Sequence, residues 1–457
     1  MRWIRFGWLL APLALLGCAK GSDDPPAPPV SSLDPAASKA LATLTFTEQP
    51  PLPPDPTNAW ADAPDAARFG HRLFFDPSLS GELLTGDNDG SEHALGTRGE
   101  TGKVSCAGCH LGESWYSDTR SIQQQVSLGA GWGLRRAPSL LDVGHTKLIM
   151  WDGRKDSLFS QPMAVIESGV EMNSGRLYAA QMVFQRHRAE YESLFGSMPP
   201  LDDASRFPAL GPKEAGCRVL DGETKCKVPL RGAPGDGAEY DSMTEDDQHA
   251  VTQVIANIGK ALGAYERLLT CGPSRFDQWM AGDATAFTDA EQRGAVLFVG
   301  KAKCIDCHSG PFLSDQKFHN VGLKPAVVAT VFIDANDRGA GLGMTELQAD
   351  PLNSEGPYSD GSDGRVPTAV GPELEGAFRT PMLRCAKMRP SFMHTAQLRK
   401  LSDVVSFFDR GGDIGGYPGT SEIAPLDLTP DERADLVAFL EALNGPGPGA
   451  DLLTPPE

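Results

Sequence analysis

Cys106-Ala107-Gly108-Cys109-His110 and Cys304-Ile305-Asp306-Cys307-His308 are the two stretches on which the reading of this chain turns. In each, two thiols stand three residues apart and a histidine follows. Two such thiols can each form a thioether with a vinyl group of one haem, and the imidazole then binds the iron from below. A single zinc site of four cysteines usually brings its pairs about 15–20 residues apart. Here most of the protein lies between them, so the reading is two covalently held haem c groups, with His110 and His308 as proximal ligands.

The 457 residues suffice for two or three domains, and 40% hydrophobic residues allow compact cores. Gly 50 and Pro 37 predict many loops, which a large cofactor acting as extra core can stabilise. A net charge of −19 argues against nucleic acid and favours a basic docking partner.

Arg2 and Arg5 precede a short apolar run from Gly7 to Leu16. The run is too short to span a bilayer and reads as an export signal. It ends Leu15-Leu16-Gly17-Cys18, which resembles a bacterial lipobox with Cys18 as the lipidated residue. Residues 1–18 are thus expected to be a signal peptide cleaved before Cys18, and 19–57 a Pro-rich tether. The expected location is the bacterial cell envelope, as a periplasmic lipoprotein held to a membrane by its lipid alone. In that oxidising compartment Cys217, Cys226, Cys271 and Cys385 suggest two disulfides. Cys217–Cys226 would close a short loop, and Cys271–Cys385 is left by elimination.

Hydrophobic spacing predicts helices over 66–75, 177–194, 246–269, 291–298, 401–408 and 431–443. No strand series stands out. The coarse reading is a mainly α protein of two haem-binding halves with long loops. One half covers 58–272 with a Gly-, Pro- and Asp-rich insertion at 197–245. The other covers 273–447, and 448–457 is a tail. His71, His93, His145, His187, His249 and His319 read as surface or satisfied structural residues.

Several motifs then resemble the bacterial di-haem cytochrome c peroxidase family, which includes MauG-like enzymes. They are Gly70-His71-Arg72-Leu73-Phe74-Phe75-Asp76-Pro77, Trp151-Asp152-Gly153-Arg154, Val170-Glu171-Met172, Phe378-Arg379-Thr380-Pro381, Met393-His394 and Phe407-Phe408-Asp409-Arg410-Gly411-Gly412. The resemblance implies two cytochrome c-like α-helical domains facing each other. It implies reduction of hydrogen peroxide at the N-terminal haem, with electrons relayed by the C-terminal haem from a cytochrome c or cupredoxin. Oxidation of a partner protein's side chains is the alternative activity, and a non-catalytic electron carrier or redox sensor the alternative class. Carried over by motif, Glu171 is the acid–base carboxylate, Gln161 a polar pocket residue and Trp151 the tryptophan between the haems.

The chain departs from this pattern in three places. The loop Ser127-Leu128-Gly129-Ala130-Gly131-Trp132 has Ala130 where many relatives place a histidine over the first iron, so an open first haem is expected. Phe408 stands where Met or Tyr would be the second iron's sixth ligand; Met393 is the nearby candidate, and a weakly ligated second haem is expected. Arg136 replaces an asparagine associated with a calcium ion, so calcium would depend on other oxygens.

Overall fold

The computed structural model describes residues 30–84, 95–119, 126–208, 234–235, 238–325 and 336–456, together with the backbone of 217–220 and 223–226. Its helices are α1 (Pro35–Ala42), α2 (Pro64–Phe75), α3 (Cys106–Cys109), α4 (Gln161–Glu167), α5 (Arg176–Phe195), α6 (Ala238–Asp241), α7 (Glu245–Glu266), α8 (Arg275–Met280), α9 (Asp289–Val299), α10 (Ala340–Ala349), α11 (Leu401–Asp409) and α12 (Pro430–Ala442). Two small antiparallel ribbons complete the described structure. One pairs β1 (Cys217–Leu220) with β2 (Glu223–Cys226); the other pairs β3 (Phe318–His319) with β4 (Phe378–Arg379). The mainly α expectation holds, and each predicted helix is found within a few residues of its expected ends.

Local chemistry explains where the long helices begin. Thr288 accepts from the Glu291 amide while Glu291 reaches back to the Thr288 amide, and Thr429 with Glu432 repeats this box at α12. Pro430 occupies the first turn of α12, where its missing N–H costs nothing. Thr244 caps α7 through the Asp247 amide.

Each half is built on one crossed helix pair, α2 with α7 and α9 with α12. The crossing is closer than side chains would allow. A Cβ at Gly70 would overlap the Ala261 carbonyl, and one at Gly294 would overlap the Asp435 carbonyl. Four residues after each glycine, on the same helix face, a phenylalanine reaches the proximal histidine. Phe74 lies 6.4 Å from His110, and Phe298 lies 6.4 Å from His308, centroid to centroid. The two segments are Gly70-His71-Arg72-Leu73-Phe74 and Gly294-Ala295-Val296-Leu297-Phe298, an internal repeat that the sequence reading passed over. Around the first pair lies a core including Phe69, Leu73, Tyr116, Ile255, Ile258 and Leu262. The second core gathers Phe276, Trp279, Ala295, Phe298, Leu436 and Phe439.

Three segments carry more structure than their composition suggests. The tether expected over 19–57 does not reach residue 57. Asp34 accepts from the Ala36 and Ala37 amides and starts α1, and Leu41 and Leu44 are buried in the second core. The anchor is a fully buried ion pair, Arg384–Asp277 at 2.7 Å. Asp277 also accepts from Thr45 and the Phe46 amide, while Arg384 donates to the Leu44 carbonyl and stacks 3.7 Å over Phe46. Prolines on either side had masked an alanine-rich helix. Within the Gly-rich stretch 335–376, α10 forms with Met344 and Leu347 buried. Finally, the 448–457 tail is docked. The hydroxyls of Tyr116 and Tyr265 both donate to the Leu452 carbonyl at 2.7 Å, and His71 bonds the Thr454 carbonyl at 2.9 Å.

Cys271 and Cys385 form a disulfide that joins the two halves. Cys217 and Cys226 face each other in the β1–β2 register, but their side chains lie outside the described residues, as do Cys18 and His93. If the close crossings define both halves, Gly70→Ala and Gly294→Ala each lower the unfolding free energy by about 1–3 kcal/mol. The check is a reduced denaturant midpoint, with Gly169→Ala, where a Cβ meets nothing within 4 Å, staying within about 0.5 kcal/mol of the parent.

Candidate haem sites and the seam between them

Cys106 and Cys109 bound the short α3, and the His110 amide closes its turn on the Cys106 carbonyl at 2.9 Å. His110 Nδ1 stands 3.2 Å from the Tyr116 carbonyl. A carbonyl only accepts, so Nδ1 carries the hydrogen and Nε2 keeps its lone pair. That is the tautomer a metal-binding imidazole needs, held by an outer-shell carbonyl. The second motif repeats the arrangement: the His308 amide bonds the Cys304 carbonyl at 2.8 Å, and Nδ1 faces the Leu313 carbonyl at 2.8 Å. Burial pushes the imidazole of His308 down to about 4 and lowers that of His110, favouring the neutral, ligating form of both. All four motif cysteines are outside any disulfide. Paired thiols outside any disulfide, beside an available Nε2, fit a covalently held haem at each motif.

Over the first motif lies the loop that lacks a histidine. The Cys109 sulfur approaches the Leu128 carbonyl at 3.7 Å. The Ala130 amide donates to the Glu171 carbonyl at 2.7 Å, and the Gly131 amide to the Val170 carbonyl at 2.8 Å. Gly129 permits this contact, since a Cβ there would overlap the Glu171 carbonyl. Ala130 and Glu171, 41 positions apart in sequence, are thus brought together as neighbours. Burial raises the Glu171 carboxyl above its usual range; the Arg154 charge and a Ser168 hydrogen bond oppose this. Arg154 is itself held by both oxygens of Asp152, at 2.9 and 3.0 Å. Gln161, at the start of α4, points its amide toward the Met150 sulfur at 3.7 Å.

Trp151 sits where the halves meet. Its Nε1 donates to the Arg136 carbonyl at 2.7 Å, and its own carbonyl accepts from the Arg379 amide at 2.8 Å. The Arg136 amide donates to the His394 carbonyl at 2.7 Å, and the Trp151 ring lies 6.2 Å from that of His394. His394 stacks on Phe378 at 3.6 Å. Met393 and Phe408 share one apolar cluster with Phe407 and Tyr417. Among the described residues, no group of three or more His, Cys, Asp or Glu side chains is placed to hold a metal ion.

His71, His187, His249 and His319 all have partners, at Thr454, Asp76, Tyr358 and the Asp315–Glu422 pair. His145 differs: it packs 4.2 Å from Phe312, its Nε2 is unpartnered, and burial pulls it down to about 4. The role of Arg154 beside Glu171 was also missed, although it lies in the quoted Trp-Asp-Gly-Arg motif.

The sequence profile of the di-haem cytochrome c peroxidase family matches residues 64–285, a span that runs from α2 past α8 and contains the first haem motif. Over that span the chain is similar to the di-haem cytochrome c peroxidase family. Cytochrome-c peroxidase IdrP1 of Denitromonas iodatirespirans is 29% identical over 91% of both chains. The methylamine utilization protein MauG of Methylorubrum extorquens is 28% identical over 83% of this chain and 78% of its own. The solved structure of the di-haem peroxidase BthA from Burkholderia thailandensis superposes with a TM-score of 0.55 at 19% identity, covering 86% of this chain and 87% of that one. The fold is therefore that of a di-haem peroxidase, and the family has two haem c groups for the two motifs. With Ala130 packed over the first motif, the resting ferric protein is expected to show a high-spin component in its electronic and paramagnetic resonance spectra. A wholly low-spin spectrum would contradict this placement.

Proposed function

We propose that this chain is a di-haem oxidoreductase that reduces hydrogen peroxide to two waters at the N-terminal haem. Two electrons reach it through the C-terminal half from a small redox protein, a cytochrome c or cupredoxin. The observation that carries the reading is the backbone clasp between Ala130–Gly131 and Val170–Glu171, which brings Glu171 to the histidine-free loop over the Cys106–His110 motif. Haem iron, when bound, supplies an open coordination position and the redox equivalents. The chain supplies the rest. His110 and His308 present Nε2 lone pairs fixed by backbone carbonyls. Glu171 accepts and returns the peroxide proton at its carboxylate, the kind of proton transfer worth about 10²–10⁴-fold in rate. Gln161, assigned by motif, would supply a polar group to the same pocket. Trp151, hydrogen-bonded to both halves, is the electron path across the seam, and Met393 is the candidate sixth ligand of the second iron. The same proposal includes export, lipid attachment at Cys18, and the division into an N-terminal peroxidatic and a C-terminal electron-transfer domain.

Peroxide consumption with a reduced donor tests the assignment. The parent turns over, and Glu171→Gln lowers kcat by about 10²–10⁴-fold. Absence of turnover in the parent would favour an electron carrier, and an equally fast variant would remove Glu171 from the chemistry. The pH profile supplies a second check. As proton acceptor Glu171 acts ionised, so activity falls on the acid side, with the limb above the ordinary carboxylate range because burial raises the carboxyl. Arg154→Met removes the charge that stabilises the ionised form, so the acid limb moves to higher pH. An unmoved limb would break the link between these two residues.

A further inference from the structure

Five polar side-chain atoms at the seam are buried without a hydrogen-bond partner: Arg136 Nε and Nη2, Arg389 Nε, Ser391 Oγ and His394 Nε2. They belong to one place. The Arg136 amide bonds the His394 carbonyl at 2.7 Å, and Arg389, Ser391 and His394 lie within one short stretch. Arg136 is 3% exposed, Ser391 1% and His394 4%. Arg379, bonded through its own amide to Trp151, adds a third buried guanidinium.

Elsewhere the chain provides carboxylates for its buried arginines. Arg135, the adjacent residue, is held by Asp152 and Asp337; Arg384 is held by Asp277, and Arg176 by Glu167. Among the described residues, Arg136, Arg379 and Arg389 have no ion pair. Burial lowers all three, Arg136 to about 10 and Arg389 to about 9, and Arg389 is lowered further by the charges of Arg136 and Arg379. Asp118 and Asp142 act on Arg136 and Arg389 only through their fields. Unpaired buried charge costs several kcal/mol, so native proteins pair it. The missing partner is anionic, planar and able to accept from a guanidinium fork and a hydroxyl, which describes a carboxylate.

The cluster also lies beside the segments that carry both haem sites. Arg136 precedes Ala137, whose amide bonds Ser127 Oγ at 2.7 Å in the loop over the first motif. Arg389 Nη2 donates to the Met382 carbonyl at 2.7 Å, and the neighbouring Leu383 amide bonds the carbonyl of Phe312, next to Leu313, which holds His308. Each haem c has two propionate carboxylates. We propose that the seam is a shared propionate cradle, in which Arg136 holds a propionate of the N-terminal haem, Arg389 one of the C-terminal haem, and Ser391, His394 and Arg379 complete the donor set. The proposal rests on the di-haem reading. It makes these arginines positioning residues that set haem potentials, since a cation beside a propionate favours the ferrous state over the more positive ferric one.

Potentiometric titration of the holoprotein tests the cradle, with haem content measured first. Two haems per chain in every variant keeps the di-haem reading intact, whereas no covalent haem in the parent would remove that reading itself. Arg136→Met is expected to shift the ferric/ferrous equilibrium of one haem toward ferric by about tenfold or more, a fall of about 59 mV for one electron. Arg389→Met does the same for the other haem. Arg136→Lys and Ser391→Ala, which disturb packing little, give smaller falls in the same direction and keep the test decisive if a Met variant fails to fold. Two haems with unchanged midpoints in all four variants would overturn the cradle. A parent midpoint that follows the concentration of chloride or phosphate would place a free anion there and also overturn it.

Discussion

Backbone contact between crossed helices is the constraint on which the rest of this structure depends. Helix axes usually stand 8–10 Å apart because side chains fill the space between them. At Gly70 and Gly294 there is no side chain, and the facing carbonyls of Ala261 and Asp435 occupy that space. The crossing fixes the rotation of α2 and α9 about their axes. That rotation aims Phe74 and Phe298 at the two proximal histidines. One geometric device, used twice, thus sets the position of both metal-binding imidazoles relative to their cores.

The two halves are then joined by different means, each suited to what it must hold. The Cys271–Cys385 disulfide is the covalent link, while the fully buried Arg384–Asp277 pair, within the second half, anchors the segment that follows α1. The α1 segment packs on the second core, and the C-terminal tail closes on Tyr116, Tyr265 and His71 in the first half. At the seam itself the links are backbone hydrogen bonds through Trp151, Arg136, Arg379 and His394. Peptide links of this kind hold an aromatic ring between the halves without spending its faces. Around them the charges fall into two classes: Arg135 and Arg154, paired with Asp152 and Asp337, and Arg136, Arg379 and Arg389, which have no carboxylate partner among the described residues.

Much of this was legible from residue order. The haem motifs, the six long helices and the Cys271–Cys385 pair follow from local spacing or from counting thiols. Two helices were hidden for compositional reasons. In α1, flanking prolines outweighed an alanine-rich run; in α10, glycines at positions 341 and 343 outweighed Met344 and Leu347. The G-x-x-L-F repeat was present in the sequence, but its meaning comes from what each glycine faces, and no sequence period shows that.

The sequence by itself determined where cofactor can be attached and where helices start, because each depends on residues within a few positions of one another. Only the tertiary structure decided that the Ala130 amide clasps the Glu171 carbonyl, that the tail closes on Tyr116 and Tyr265, and that Arg136 and Arg389 are buried without a carboxylate partner. These contacts join segments from tens to hundreds of residues apart. Their energies depend on burial and on partners, and neither is a property of a residue's neighbours in the chain.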